Sequence, residues 1–366
     1  MKIAILIHGG VDRSGSVHVI PAVLWLLERL ARRHEVHVFS FNQEPRPAEW
    51  ELLGATIHNV GPGRGWRGRL LRAFREEHRA SSFRVIQGIF GWGGTYGALL
   101  GWLFRVPVAF HCTGGELVTM PEIGYGLRST RRGRFELRVA LRGATRVTVP
   151  SHHLAHTARA IGVQAQLIPF GVATDRWPLA VVRARDTRRR ARLLHVGDLR
   201  PVKDQAVLLA AAVRMRDDGL DFTLDVVGLD TMNGALQQSS HAQALRDIVR
   251  WHGVLDRQSL RALMDSADVL IVSSRHEAEP MVLLEAAIAG VPSVGTAVGH
   301  FTDWAPYAAV AVPVRDATAL ARETIALLAD EPRRLAIARA AQARALAFDA
   351  DATAAAFETM FAEICI

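Results

Sequence analysis

Lysine is almost missing from this chain of 366 residues: Lys2 and Lys203 are the only lysines among 44 basic side chains. Cysteine is equally scarce. Cys112 and Cys365 lie far apart and lack metal-ligand spacing, which excludes a disulfide framework and a cysteine-based zinc site. Long apolar runs are missing too. The most apolar stretch, Tyr96 to Phe110, is too short to cross a bilayer and is interrupted by Arg105 and Pro107, so no transmembrane helix is expected. The first residues, Met1 to His8, read as a buried strand rather than the apolar core and cleavage site of an export signal. A cytoplasmic protein in a reducing compartment is the expectation.

What is present is globular material, with 49% apolar and 22% charged residues, leaving no room for a large disordered region. The length suits two α/β domains of roughly 100 to 200 residues each. Charge is divided unevenly. Residues 1–170 carry 22 basic against 11 acidic side chains, whereas residues 171–366 carry 22 against 25. The basic half is suited to an anionic partner such as a membrane surface, a lipid phosphate or nucleic acid; the alternative is simply an arginine-biased composition.

Short β-branched runs alternate with helical patterns along the whole chain, the signature of βαβ units and parallel sheets. Strands are expected near residues 2–8, 34–41, 54–60, 83–88, 106–111, 145–149 and 165–169. A second series is expected near 192–197, 222–227, 251–254, 268–273, 293–296 and 309–313. Between the series, Gly171 to Arg190 breaks the rhythm and reads as a linker. In open parallel sheets ligands bind beyond the carboxyl ends of strands, so the loops after strands are where chemistry is sought.

The most informative of these loops follows residues 268–273. Ser273 to Pro292 reads as strand end, loop, helix and turn, with Pro280 at the first helical position and Gly290 just past the end. The amides of Met281, Val282 and Leu283 at the mouth of that helix form a ready site for phosphate oxygens. Glu277 in the loop and Glu285 in the helix frame it, one placed to meet sugar hydroxyls and the other ribose hydroxyls. The plainer alternative makes Glu277 a dipole partner and Glu285 a locally satisfied carboxylate. Lys203, after the first strand of the same domain, falls on the same sheet edge. In a chain that otherwise uses arginine, a lysine there points to a compact ammonium acting on phosphate, with Arg200 as a second cation.

In these residues the chain resembles glycosyltransferase family four, retaining enzymes of the GT-B fold. The resemblance rests on Glu277 to Glu285 with Gly290-Val291-Pro292, on Gly197 to Lys203, and on Ile168 to Val172. It implies an α/β GT-B architecture of two doubly wound Rossmann-like domains facing across a cleft. Residues 1–172 would bind the acceptor, residues 191–346 the nucleotide sugar, and residues 347–366 would form a helix crossing back to the first domain. Lys203 would hold the donor diphosphate, Glu277 the transferred sugar and Glu285 the ribose. Relatives often carry Arg where Asp198 stands, and Gly where Ala278 stands. The implied activity is transfer of a sugar from a nucleotide-diphosphate sugar to a hydroxyl on a glycan or lipid-linked acceptor. No cofactor beyond that donor substrate is implied.

In the first half, His8 to Ser16 is a glycine-rich loop without the Gly-x-Gly-x-x-Gly spacing of a dinucleotide site, which argues against an NAD enzyme. Gly15 in this loop is a candidate donor contact, against the plainer reading of an ordinary strand-to-helix turn. His111 ends a strand and is a candidate sugar-contacting catalytic residue, against a hydrogen-bonded structural histidine. His152, His153 and His156 cluster without matching carboxylates, and no metal is expected. Two basic stretches, Trp66 to Arg79 and Arg128 to Arg146, set arginines beside apolar anchors as interfacial helices do on anionic lipid. They suit peripheral docking on the inner face of a membrane, or a solvated face. Nucleic acid is not expected as a partner, because no binding module accompanies the charge. Rival readings are a GT-B nucleotide-sugar epimerase and a two-domain binding protein without chemistry.

Overall fold

The computed structural model describes residues 1–365 and divides into unit 1, Met1–Ala173 with Phe348–Ile366, and unit 2, Thr174–Ala347. Unit 1 begins with β1 (Lys2–Ile7), α1 (Pro21–Ala31), β2 (Glu35–Ser40), β3 (Ala48–Leu52), β4 (Ala55–Asn59) and α2 (Trp66–Ala80). It continues through β5 (Val85–Ile89), α3 (Phe90–Phe104), β6 (Val108–His111), α4 (Arg131–Gly143), β7 (Arg146–Val149), α5 (His152–Ala160) and β8 (Gln166–Leu167). The eight strands form one sheet in the order β3-β4-β2-β1-β5-β6-β7-β8, parallel except for the antiparallel edge pair β3–β4. All six residues of β1 are buried, as expected of a strand covered on both faces.

β3 is absent from the sequence expectations. Its Ala-Glu-Trp-Glu-Leu run has exposed glutamates, which an edge strand tolerates and a central one does not. On the other side of the sheet centre, α3 lies close to the strands because glycine faces them. A Cβ at Gly94 would stand 2.4 Å from the Phe110 ring, and one at Gly101 2.2 Å from Val108 Cγ2.

Unit 2 runs β9 (Ala191–Val196), α6 (Gln205–Asp217), β10 (Phe222–Val227), α7 (Ser240–Ala244), β11 (Val249–Gly253), α8 (Arg257–Ser266) and β12 (Val269–Val272). There follow α9 (Met281–Ile288), β13 (Ser293–Thr296), α10 (His300–Trp304), β14 (Val310–Val312), α11 (Ala317–Ala329) and α12 (Glu331–Ala347). The sheet order is β11-β10-β9-β12-β13-β14, all parallel, a doubly wound arrangement. The segment expected as a linker is largely part of this unit. Trp177 is 1% exposed and donates its indole N–H to the Glu285 carbonyl at 2.8 Å, and the Ala180 amide bonds the Ile288 carbonyl.

The last helix, α13 (Ala350–Ile364), packs on α1 of unit 1. Thr353 anchors it, its Oγ1 accepting from the Gly171 amide at 2.8 Å and donating to the Pro169 carbonyl at 3.0 Å.

Candidate functional site

The strand order of unit 2 reverses between β9 and β12, and in doubly wound sheets a crevice opens at such a point beyond the strand ends. Lys203 follows β9 and Glu277 follows β12. Their side chains meet, with Lys203 Nζ 2.6 Å from Glu277 Oε1, and Ser274 Oγ donates to the same oxygen at 2.6 Å. Both are partly shielded, at 25% and 12% side-chain exposure. The two loops are stitched together. The Arg275 amide bonds the Val202 carbonyl at 2.8 Å, Ser273 Oγ bonds the Lys203 carbonyl at 2.8 Å, and the Arg275 guanidinium grips both oxygens of Asp204. The bare face of Gly197 gives room to the Lys203 stem, whose Cδ and Cε lie 3.6 Å from where a Cβ would be.

α9 opens beside this pair with Pro280 as its N-cap and no side-chain cap. Among the described residues no protein acceptor takes the amides of Met281 and Val282. The Leu283 amide, expected to be free, is already bonded to the Pro280 carbonyl at 2.9 Å, a contact three residues back that tightens the first turn of the helix. Glu285 is 8% exposed, and no protein group hydrogen-bonds its carboxyl among the described residues. Burial raises its pKa to about 7, against a smaller opposing pull from Arg257. A buried, unpaired acid on the same helix as two free amides is a place for a ligand carrying hydroxyl donors and anionic oxygens.

Two histidines support this loop system and were not singled out from the sequence. His195 bonds the Ile271 carbonyl through Nδ1 at 2.9 Å, and burial lowers its pKa to about 4. His300 sits between Glu279 (Nε2 to Oε1, 2.8 Å) and Asp303, and these carboxylates overcome burial to push its pKa up to about 9. Gly299, just before it, lies against the backbone of Glu277, with the Glu277 carbonyl 3.1 Å from the position of a Cβ. The signal for His300 is spatial; its partners are 21 residues away and 3 residues away in sequence.

Unit 1 reverses its strand order between β1 and β5, and a hollow lies there. It measures about 340 Å³ and is lined by His8, Phe90, Trp92, Glu116 and Leu127 with adjacent glycines. Phe90 is held at φ 61, a left-handed conformation costly for an aromatic residue and of the kind that clusters at functional sites. Glu116 is buried, which raises its pKa, while the Gly114 amide donates to its carboxylate at 2.8 Å. An adjoining hollow of about 620 Å³ shares His8 and Phe90 and reaches Asn42 and Gln43.

Two family models match the chain in tandem: a glycosyl transferase 4-like domain over residues 19–171 and glycosyl transferases group 1 over residues 184–344. The chain belongs to the group 1 glycosyl transferases. It is similar to the glycogen synthase of Mycobacterium tuberculosis, 32% identical over 180 residues, covering 49% of this chain and 43% of that one. It is also similar to the D-inositol 3-phosphate glycosyltransferase of Salinispora tropica, 36% identical over 170 residues, covering 43% and 35%. The chain thus spans less than half the length of these relatives. Among solved structures, a sucrose-phosphate synthase from Thermosynechococcus elongatus matches with TM-score 0.82 at 21% identity, over 99% of this chain and 98% of that one. Anabaena HepE in complex with UDP and glucose matches with TM-score 0.76 at 16% identity, over 99% and 100%. These likenesses establish the GT-B fold.

Within this group 1 transferase, the structure brings Lys203, Glu277, Met281, Val282 and Glu285 to one sheet edge of unit 2. Arg200 stands exposed on the turn before Lys203, with no side-chain partner among the described residues. Gly15 belongs to unit 1, where φ +63 lets the loop turn at Asp12 to Gly15. His111 does not reach a ligand surface. It is fully buried, its Nδ1 2.7 Å from Thr148 Oγ1 and its ring edge-on to Phe170 and Phe357. Strand alternation explains the error: Phe110 takes the α3 side and His111 the side covered by α13. Among the described residues no helix is long and apolar enough to cross a membrane.

Proposed function

We propose that this chain is a retaining glycosyltransferase that moves a sugar from a nucleoside diphosphate to an acceptor hydroxyl. The observation that carries the reading is the meeting of Lys203 with Glu277 at a topological switch point, beside the free amides of Met281 and Val282. Departure of the nucleoside diphosphate builds negative charge on its β-phosphate, and a fixed ammonium with two aligned amides neutralises it. Arg200 is available as a second cation. In this reading Glu277, freed from Lys203 by the phosphate, contacts the transferred sugar, and Glu285 accepts from the ribose hydroxyls. A phosphate oxygen of the leaving group takes the acceptor's proton on the same face, so the anomeric configuration is kept without a protein base or a metal. The hollow between β1 and β5, with Trp92 as a wall and Glu116 beneath, is the acceptor site we favour.

The test is incubation with UDP-glucose, GDP- and ADP-sugars, with and without glycan and glycolipid acceptors, followed by NMR of the product anomer. Acceptor-dependent release of nucleotide with a retained anomer supports the proposal. An inverted product overturns retention. Sugar isomerisation in donor alone, or tight nucleotide binding without turnover, replaces the transferase reading by an epimerase or a binding protein.

A lipid-linked acceptor met at an anionic, cytoplasmic membrane face is favoured by a specific surface. The packed helices α3 and α4 leave Leu99, Trp102, Leu103 and Phe135 exposed, Trp102 at 81% and Phe135 at 63%, beside exposed Arg131, Arg134, Arg138 and Arg142. In the other basic stretch Arg72, Arg75 and Arg79 are exposed with Leu71, but the aromatic anchor and one arginine are engaged within the unit. Trp66 stacks on Trp92, and Arg69 bonds the carbonyls of Val60, Gly61, Pro62 and Arg64. Flotation with anionic vesicles, absent with neutral ones and weakened by Trp102→Ala with Phe135→Ala, is the expected result. Equal flotation on both overturns this docking.

A further inference from the structure

At the opposite end of β1 from the His8 hollow, unit 1 holds a second concentration of titratable groups that glycosyl transfer does not use. His37 on β2 and His58 on β4 point toward α2, which contributes Glu77. His37 Nδ1 and His58 Nε2 face each other at 2.9 Å, their ring planes only 9° apart, and Glu77 Oε2 lies 3.5 Å from His37 Nδ1. All three ligand atoms fall within 4.8 Å of one another. Both rings are 6% exposed.

The outer nitrogen of each ring is already engaged. His37 Nε2 meets Glu35 Oε1 at 3.0 Å, and His58 Nδ1 meets Glu49 Oε2 at 2.8 Å, where β3 pairs Glu49 directly with His58. A carboxylate accepts, so each ring donates its N–H outward and turns a lone pair inward. Two lone pairs facing across 2.9 Å repel unless something electropositive lies between or beside them. Charge points the same way. Glu35, Glu49 and Glu77 face a single ammonium, Lys2, whose Nζ lies 3.0 Å from Glu35 and 3.0 Å from Glu77. One cation against three carboxylates leaves two negative charges, the complement of a divalent ion.

We propose that His37, His58 and Glu77 bind one divalent transition ion of zinc's class, with Glu35 and Glu49 orienting the two imidazoles from behind. Two imidazoles and a carboxylate are a donor set that zinc accepts, and carboxylates on the far nitrogens fix tautomer and ring direction. Bonds of roughly 2.0–2.1 Å in a tetrahedral field set ligand atoms about 3.3 Å apart. The pair must therefore open from 2.9 Å and both rings must tilt toward Glu77. Lys2 Nζ meets the same Glu77 Oε2 at 3.0 Å, so the ion and the ammonium share that oxygen. Entry is from the solvent side, where Glu35, Glu49 and Glu77 side chains are 54%, 64% and 28% exposed. The ion ties β2, β4 and α2 together and takes no part in sugar transfer.

The test uses the full chain, stripped with a chelator and titrated with Co²⁺ while visible ligand-field absorption is recorded. One equivalent with the intense bands of a tetrahedral site, displaced by Zn²⁺, is expected, together with a rise in the thermal midpoint on adding Zn²⁺. His58→Asn abolishes the bands. Glu49→Gln, an exposed change that spares the fold, weakens affinity about 10- to 100-fold, the range for losing a group that orients a ligand. Bands that never appear, or that are unchanged in both variants, overturn the site; the pair then shares a proton. Bands lost instead in His152→Asn place the ion elsewhere and equally overturn it.

Discussion

Exchanging Glu285 for glutamine probes the least ordinary group of the proposed donor site. Its carboxyl is buried and unpartnered, and titrates near pH 7 in the folded chain against an ordinary value of 4.5. Between those two values the folded chain holds a proton that the unfolded chain has released, so stability falls as pH rises from about 4.5 to about 7. Each unit is worth about 1.4 kcal/mol, so burying the ionised acid costs about 3 kcal/mol above pH 7. Glutamine keeps the shape and removes the charge. The variant should match the wild type near pH 4.5 and exceed its stability by about 3 kcal/mol at pH 8, read from urea titrations across that range.

Nucleotide binding must move the opposite way. Ribose hydroxyls donating to Glu285 favour its ionised form, so UDP affinity of the wild type should rise as pH passes through about 7. Replacing a charged acceptor costs about 1.5–3 kcal/mol, so Glu285→Gln should bind UDP roughly 10- to 100-fold more weakly at pH 8 by calorimetry. A stability difference that stays flat with pH would mean that the carboxyl is not held neutral. Equal UDP affinity in the two proteins would move the ribose elsewhere, and the assignment would fall.

Lys203→Ala should lower turnover at saturating donor by about 10² or more, the scale of losing one preorganised charge stabiliser, and Lys203→Arg should restore only part; near-wild-type turnover in the alanine variant refutes the phosphate role. His111, its pKa pushed down to about 3 by burial, should make stability fall as pH drops below about 6.5, by about 4 kcal/mol near pH 3. His111→Leu should remove that acid sensitivity, and an unchanged acid limb in urea titrations would contradict it. Gly94→Ala forces a methyl to 2.4 Å from the Phe110 ring and should destabilise unit 1 by about 1–3 kcal/mol, seen as a lower thermal midpoint; an unshifted midpoint shows that α3 can retreat freely.

The parallel strands were legible because they are written as continuous apolar runs. Lys2–Ile7 and Val269–Val272 have no competing reading once the turn residues that follow end them. The edge strand β3 was not, since its glutamates carry the pattern of a loop and only its pairing with β4 makes it a strand. Within the site, the convergence of Lys203 and Glu277 followed from both lying after strands that turned out to be neighbours. His111 failed because position along a strand says that a residue is at the ligand edge, whereas only side-chain alternation and the covering helix say which way it faces. The His37–His58–Glu77 cluster left no trace at all. Its members come from β2, β4 and α2, and no short spacing joins them.

The two lysines bear on how far residue choice alone can be trusted. Lys2 is 4% exposed in its side chain and sits among Glu35, Glu77 and the Glu77 carbonyl, a compact cation filling a corner between a strand and a helix. It shows that this chain, rich in arginine elsewhere, also uses an ammonium for purely internal pairing. Scarcity of lysine is therefore weak ground for a phosphate role at position 203. What separates the two is surroundings. Lys2 has two carboxylates and a carbonyl and no free donors of anion-binding type beside it. Lys203 is 25% exposed, has a single carboxylate partner, and lies at a strand-order reversal next to the open amides of Met281 and Val282. An incoming diphosphate can take the ammonium from Glu277 and leave that acid free for the sugar, an exchange that the neighbours of Lys2 offer no ligand to drive.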